Sequence, residues 1–228
     1  AERVADLIRF DPLFQKMPKQ LFTFDNGKTP KGEKQGYLTA IMYLAPYNLS
    51  GYLLCTFAEL AQCHIPCLNS AGRGRFDSTQ KARIRKTLMF HQFRDEFNTL
   101  LVSEMHRAMR KARKMGLTLV VRLNGTSDIL WENETISESW HTLKNRNIKW
   151  TIFDLFSKIQ FYDYSKYPTR HKLPDNYNLT FSYSGVDSFK PIVAKWENKQ
   201  TNQNIAVVFS HHAMPAVFNN REVVNGDT

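Results

Sequence analysis

Residues 37–75 read YLTAIMYLAPYNLSGYLLCTFAELAQCHIPCLNSAGRGR. The first nine, Tyr37 to Ala45, are apolar or aromatic apart from Thr39, with Gly36 before them and Pro46 after. A short apolar run between turn residues is the signature of a strand buried on both faces. Such strands belong to parallel sheets covered by helices. The chain's three cysteines follow at once, as Cys55, Cys63 and Cys67. The stretch therefore predicts an α/β fold and a candidate site just past the carboxyl end of a strand. In α/β sheets and barrels, ligands bind at that edge.

Downstream the pattern alternates. A single helix is predicted from Ser78, as N-cap, to Met115, with Ile84, Leu88, Phe93, Phe97, Leu100, Leu101 and Met105 on one broad stripe. Gly116 stands where a left-handed closing residue belongs. Arg110, Lys111, Arg113 and Lys114 fill the last turns, where cations complement the helix dipole. Leu117–Leu123 predicts a second strand, ending in the polar turn Asn124–Asp128. Helical segments are predicted over Ser137–Arg146 and Phe153–Lys158. Ile159–Tyr164, Leu179–Tyr183, Ile192–Trp196 and Ile205–Ser210 predict the remaining strands. This alternation argues for one α/β domain with a mainly parallel sheet, open or curled into a partial or distorted (β/α) barrel.

Residues 1–36 read as a peripheral N-terminal segment, with a short amphipathic helix around Val4, Leu7 and Ile8 and a charged loop from Lys28 to Gly36. Residues 37–228 read as the metal-binding α/β domain. Val223 to Thr228 reads as a strand and turn cut short, so the natural chain is expected to continue.

The 228 residues are 42% apolar, enough for a real core and too apolar for general disorder. No apolar run is long enough to cross a bilayer, and AERVADLIRF lacks a signal-peptide h-region. The expectation is a cytoplasmic protein with no membrane partner. The net charge of +10 favours polyanions. Its best cluster is Arg73, Arg75, Lys81, Arg83, Arg85 and Lys86, candidate nucleic-acid contacts. The competing readings are a general solubility charge and a host-protein surface.

Three cysteines cannot pair fully in disulfides, and scattered core thiols would not fall within thirteen residues of one another. Their spacing is C-x7-C-x3-C. Thiolates are soft ligands suited to iron–sulfur clusters or zinc. Three of them are the usual protein share of a [4Fe-4S] cluster that leaves one iron open. Zinc is the alternative and needs a fourth ligand. His64 is adjacent to the thiols, and His91, His211 and His212 are distant candidates. Simple core packing of small apolar side chains is the remaining reading.

If the strands are parallel, their carboxyl ends form one polar rim. It would contain Asn124, Ser127, Ser182 and Ser184 as cofactor-binding candidates. Asp128, Asp163, Lys166 and His211 are the candidate acid–base groups. Turn chemistry alone would also account for Asn124 and Gly125.

Four segments carry a further signal. They are GRGRF after the cysteines (Gly72–Phe76), VRLNGTSD (Val121–Asp128), FYDYSK (Phe161–Lys166) and LTFSYS (Leu179–Ser184). Taken in this order they resemble the gene product 88 family of phage proteins, from about Tyr37 to the end. The layout is similar to a reduced radical-SAM-type barrel. The resemblance implies a host-cytoplasmic location and a cysteine triad holding the cluster after the first strand. S-adenosylmethionine is the cosubstrate it implies. The spacing here differs from the C-x3-C-x2-C of radical-SAM proteins.

Overall fold

The computed structural model describes residues 17–24, 29–136, 150–170, 172–199, 203–210 and 214–226. Six strands form one sheet: β1 (Phe22–Thr23), β2 (Tyr37–Met42), β3 (Thr118–Arg122), β4 (Gln160–Ser165), β5 (Tyr177–Ser182) and β6 (Ile205–Ala206). Their order in the sheet is their order in the chain. β1 runs antiparallel to β2, and every other pairing is parallel. β1 and β6 each have one hydrogen-bonded neighbour, so the sheet is not closed into a barrel by hydrogen bonds. β7 (Val217–Phe218) and β8 (Arg221–Glu222) make a separate hairpin. Its turn residues Asn219 and Asn220 both have positive φ, which Asn tolerates better than most residues.

The strands form where the apolar runs and alternations predict them. Leu38, Ala40, Ile41 and Met42 of β2 are all buried, as a strand covered on both faces requires. β5 alternates instead, with Tyr177, Leu179 and Phe181 inward. In β4 the inward set is Phe161, Asp163 and Ser165, so two polar side chains face the core.

Five helices accompany the sheet among the described residues: α1 (Thr29–Lys34), α2 (Asp77–Gln92), α3 (Arg94–Met115), α4 (Ile152–Leu155) and α5 (Lys190–Glu197). α3 packs on β2 and β3 through Phe97, Leu101, Met105 and Ala108 in the main core. A second, smaller core gathers Phe181, Phe189, Val193, Trp196 and Ala61. Ala61 belongs to the cysteine segment, so that segment is anchored in packed structure.

Several expectations are corrected. The predicted helix Ser78–Met115 is two helices, and α2 opens at Asp77 after Phe76. The break is Phe93 (φ −134°, ψ 62°), which leaves helical geometry with no Gly or Pro to announce it. Its own N–H still reaches Met89 O and its carbonyl still accepts from Phe97, so the chain turns without losing those bonds. Asp95 and Glu96 then restart the helix dipole. Gly116 closes α3 at φ +67°, as expected.

Ile192–Trp196 is helical, not a strand. Pro191 opens α5, and Val193 and Trp196 fall three apart on one buried face. The strand predicted over Ile205–Ser210 pairs only at Ile205 and Ala206. The ladder of the terminal hairpin ends at Glu222, before Val223.

The first 36 residues are not all peripheral. Leu21 and Phe22 are fully buried, and the buried Glu104 carboxylate accepts both of their N–H groups at 2.7 and 2.8 Å. The loop expected from Lys28 contains α1. The helices expected near Val4–Ile8 and over Ser137–Arg146, and His211 and His212, lie outside the described residues. No described helix is long and apolar enough to cross a membrane.

Candidate metal centre

The cysteine segment leaves β2 and lies across the carboxyl ends of its neighbours. Asp128 N–H donates to Leu54 O (2.9 Å), and Thr56 Oγ1 meets Tyr167 Oη (2.6 Å). Ser184 Oγ donates to Ala61 O (3.0 Å), and Ser188 Oγ to Leu60 O (2.7 Å). These bonds span residues that follow β3, β4 and β5. Two glycines set how closely the pieces approach. A Cβ on Gly125 would sit 2.6 Å from Met42 O and 2.7 Å from the Tyr43 ring. A Cβ on Gly74 would sit 2.7 Å from Leu68 O.

The three thiols are half-buried and unpaired. Backbone N–H groups point at two of them, Tyr47 N–H at Cys55 Sγ (3.4 Å) and Asn69 N–H at Cys67 Sγ (3.5 Å). Cys55 Sγ–H donates to Thr126 O (3.7 Å) and Cys63 Sγ–H to Ala58 O (3.8 Å). Burial pushes the Cys55 thiol far up, and the Asp128 carboxylate and the other two sulfurs add to this. Burial also raises Cys63, against the pull of the Lys166 ammonium, with Cys67 pushing the same way as burial. Among the described residues, no three His, Cys, Asp or Glu side chains converge closely enough to hold a single ion. His64 Nδ1 lies 3.0 Å from Ala58 O, and the ring sits beside Tyr47. His91 stacks flat on Tyr52 at 3.9 Å, and burial followed by the Arg94 charge lowers it to about 4.

The residues expected to form the polar rim are unequal. Asn124 and Ser127 are spent on the turn itself. Asn124 Oδ1 accepts from Ser127 Oγ, Ile129 N–H and Trp131 Nε1–H, and its amide donates to Ile129 O. The Ser184 hydroxyl is likewise committed, and Ser182 contributes a carbonyl that accepts from Lys166 Nζ (2.8 Å). Asp163 is turned into the core, accepting from Asn124 N–H (2.8 Å) and Tyr177 Oη–H (3.0 Å), with Arg122 at 3.7 Å. Burial raises it to about 7. Its place is behind the rim.

Asp128 and Lys166 are different. Asp128 Oδ2 accepts the Lys166 N–H (2.8 Å), while Oδ1 is buried with no hydrogen-bond partner. Burial raises this carboxyl to about 6. Lys166 Nζ also reaches Tyr183 O (3.2 Å) and lies near enough to Cys63 for the two charges to interact. Of the four acid–base candidates, these two border the thiols, Asp163 does not, and His211 lies outside the described residues.

Sequence reasoning misses Arg170. It is almost fully buried, paired in two-pronged fashion with Glu132, 3.9 Å from Asp128 Oδ1 and within reach of Tyr177 Oη. Burial works to lower its basicity, but the Glu132 hydrogen bonds and carboxylate, with Tyr177 and Asp128, hold it above the usual arginine range. An Arg in a polar connection carries no periodicity to mark it as interior.

The basic cluster divides. Arg73 and Arg75 are exposed, and Lys81 and Arg85 are half-buried. Arg83 is buried, donating to Asn69 Oδ1 and lying 5.0 Å from the centre of the Tyr43 ring. Lys86 donates to Leu21 O (2.8 Å), and burial lowers it to about 8. These last two do not contribute to an outer basic face, because the start of α2 turns them inward.

The family model described as gene product 88 matches residues 20–228. The chain belongs to that family. No curated protein and no solved structure shows significant similarity to it. The gene product 88 match begins beside β1, so the family's unit includes the strand that Glu104 fastens down, and not only the residues from Tyr37 onward.

Proposed function

We propose that this gene product 88 protein is an iron–sulfur protein. Cys55, Cys63 and Cys67 hold a [4Fe-4S] cluster over the carboxyl edge of the sheet. One observation carries the reading: a single loop, anchored by Ser184 and Ser188, holds three unpaired, half-buried thiols at the edge where α/β proteins bind ligands. N–H groups aimed at two sulfurs support it, since such hydrogen bonds tune clusters. A single zinc ion needs donors converging on one point. A cluster ligates each thiolate to a different iron and does not need that convergence. Asp128 and Lys166 are the polar groups that would border such a cluster, and S-adenosylmethionine is the cosubstrate that the family resemblance implies.

Anaerobic reconstitution with iron and sulfide tests this. The expected product is brown, with about four irons per chain and an absorption band that each of Cys55→Ala, Cys63→Ala and Cys67→Ala diminishes. A colourless product, or one equivalent of tightly held zinc, would refute the cluster. Incubating the reduced, loaded protein with S-adenosylmethionine then asks for cleavage products.

The second reading is a nucleic-acid-binding module whose metal is structural. Exposed Arg73 and Arg75 on the turn before α2 favour it. It requires binding that falls steeply with salt and is lost in R73E/R75E.

A further inference from the structure

α2 carries Ala82, Arg85 and Lys86 at spacings of three and four, which puts them on one side of the helix. That side meets the chain around β1. Between them lies a cleft of about 520 Å³, with Lys19, Phe22 and Phe24 on its other wall. Small-molecule sites have volumes of roughly 300–1,000 Å³. The cleft is positive. Lys19, Arg85 and Lys86 line it, and no described lining residue is a carboxylate. Lys111 Nζ adds a further charge beside it, 4.4 Å from the centre of the Phe24 ring. The acid whose charge acts on Lys86 is Glu104. Its carboxylate is already engaged by Leu21 N–H, Phe22 N–H and Arg107 Nη2–H. Burial lowers the Lys86 ammonium to about 8, the Arg83 charge works the same way, and Glu104 opposes both. A cation held out of water among other cations is costly until an anion joins it.

The depth of the cations selects the anion. Lys19 is exposed, while Lys86 is set back and half-buried. A phosphodiester in a nucleic-acid backbone carries one charge and is flanked by a sugar on each side. A phosphate monoester has one ester bond and carries roughly −1.5 to −2 at neutral pH. Its three free oxygens can enter end-on and accept charge-assisted hydrogen bonds from all three cations. We propose that the cleft between β1 and α2 binds a small phosphate monoester, its phosphate on Lys19, Arg85 and Lys86 and its organic part along Ala82 and Phe24. None of the three cysteines is among the described residues that line the cleft, so this site stands or falls apart from the iron–sulfur reading.

Adenosine monophosphate is the probe, titrated calorimetrically against the full chain. Saturable binding is expected, with inorganic phosphate competing and adenosine not binding. Lys19→Glu and Lys86→Met should each weaken it at least about tenfold. Binding to the wild type should also weaken from pH 7 to pH 9, because the Lys86 ammonium loses its proton near 8 while the phosphate charge no longer changes. Lys86→Met should flatten that profile. The charged groups around Lys86 are Glu104 on α3, Arg83 and Arg85 on α2, and Lys19 before β1. Lys19 is exposed, so Lys19→Glu decides the matter if Lys86→Met does not fold. No saturable binding of either adenosine monophosphate or inorganic phosphate overturns the proposal. So does binding that neither variant weakens, or adenosine binding as tightly as its phosphate. A single-stranded oligothymidylate that needs Lys19 and Lys86, with no binding of the mononucleotide, also overturns it and assigns the cleft to nucleic acid.

Discussion

Arg170 is the residue on which the rim's interior turns. Its guanidinium holds the Glu132 carboxylate in a two-pronged pair and stands beside Asp128, all three almost fully buried. Removing one member of a buried pair leaves an uncompensated charge, which costs about 3–5 kcal/mol. Arg170→Met should therefore unfold at clearly lower denaturant, and adding Glu132→Leu should recover part of the loss. A double variant no better than the single one would show that Glu132 is not the relevant partner. Asp163 supplies a pH test. Burial raises its folded value to about 7, above the ordinary carboxyl range, so the native state keeps a proton that the unfolded chain releases. Its contribution to stability is present below about pH 4 and is lost as pH rises through 7. The melting temperature of wild type should therefore fall relative to that of Asp163→Asn from pH 5 to pH 8. A relative rise of wild type over that range would contradict the raised value. Cys55, Cys63 and Cys67 were legible because thiols are rare and clustered. Arg170 was not, since burial of a charge depends on a partner 38 positions away.

At the scale of elements, β2, β3, β4 and β5 were legible because buried parallel strands write themselves as short apolar or alternating runs between turns. What failed did so for identifiable reasons. The Phe93 break lies inside an unbroken apolar stripe, and only Asp95 and Glu96 mark a new start. α5 resembles a strand in sequence because Ile192, Val193 and Trp196 are also good strand residues, and only Pro191 as a helix opener marks it as helical. β1 is two residues long and has no sequence signature of its own. Its place comes from Glu104 on α3, which accepts the N–H groups of Leu21 and Phe22 and also receives Arg107 Nη2–H (3.1 Å). Glu104→Ala should cost about 3 kcal/mol, because two buried N–H groups lose a charged acceptor. The same variant should expose the Leu21 and Phe22 amides to hydrogen exchange ahead of the rest of the sheet. Uniform loss of protection across all strands would mean that β1 does not detach as a unit.

For the whole molecule, the decisive feature is that the cysteine segment belongs to two structures at once. It begins at the end of β2, in the main core, where Leu54 packs. It continues into the second core, where Ala61 meets Phe181, Phe189, Val193 and Trp196. Ser184 and Ser188 bond its carbonyls from beyond β5. Anything that rigidifies the loop should therefore tighten the far side of the sheet as well. A ligand that binds only the folded state raises stability by mass action, and for a metal centre that binding energy is folding energy. Under the proposed iron–sulfur reading, loading the cluster should thus raise the melting temperature. Hydrogen exchange should slow over residues 46–76 and also over 181–196, with β2 and β3 little changed because they are already protected by the main core. Under the proposed reading Trp196→Ala, which opens a cavity in the second core and costs about 3–5 kcal/mol, should weaken retention of iron, because Cys63 packs against that core. Protection confined to residues 46–76, together with normal iron retention in Trp196→Ala, would mean that the loop holds its metal independently of the sheet it covers.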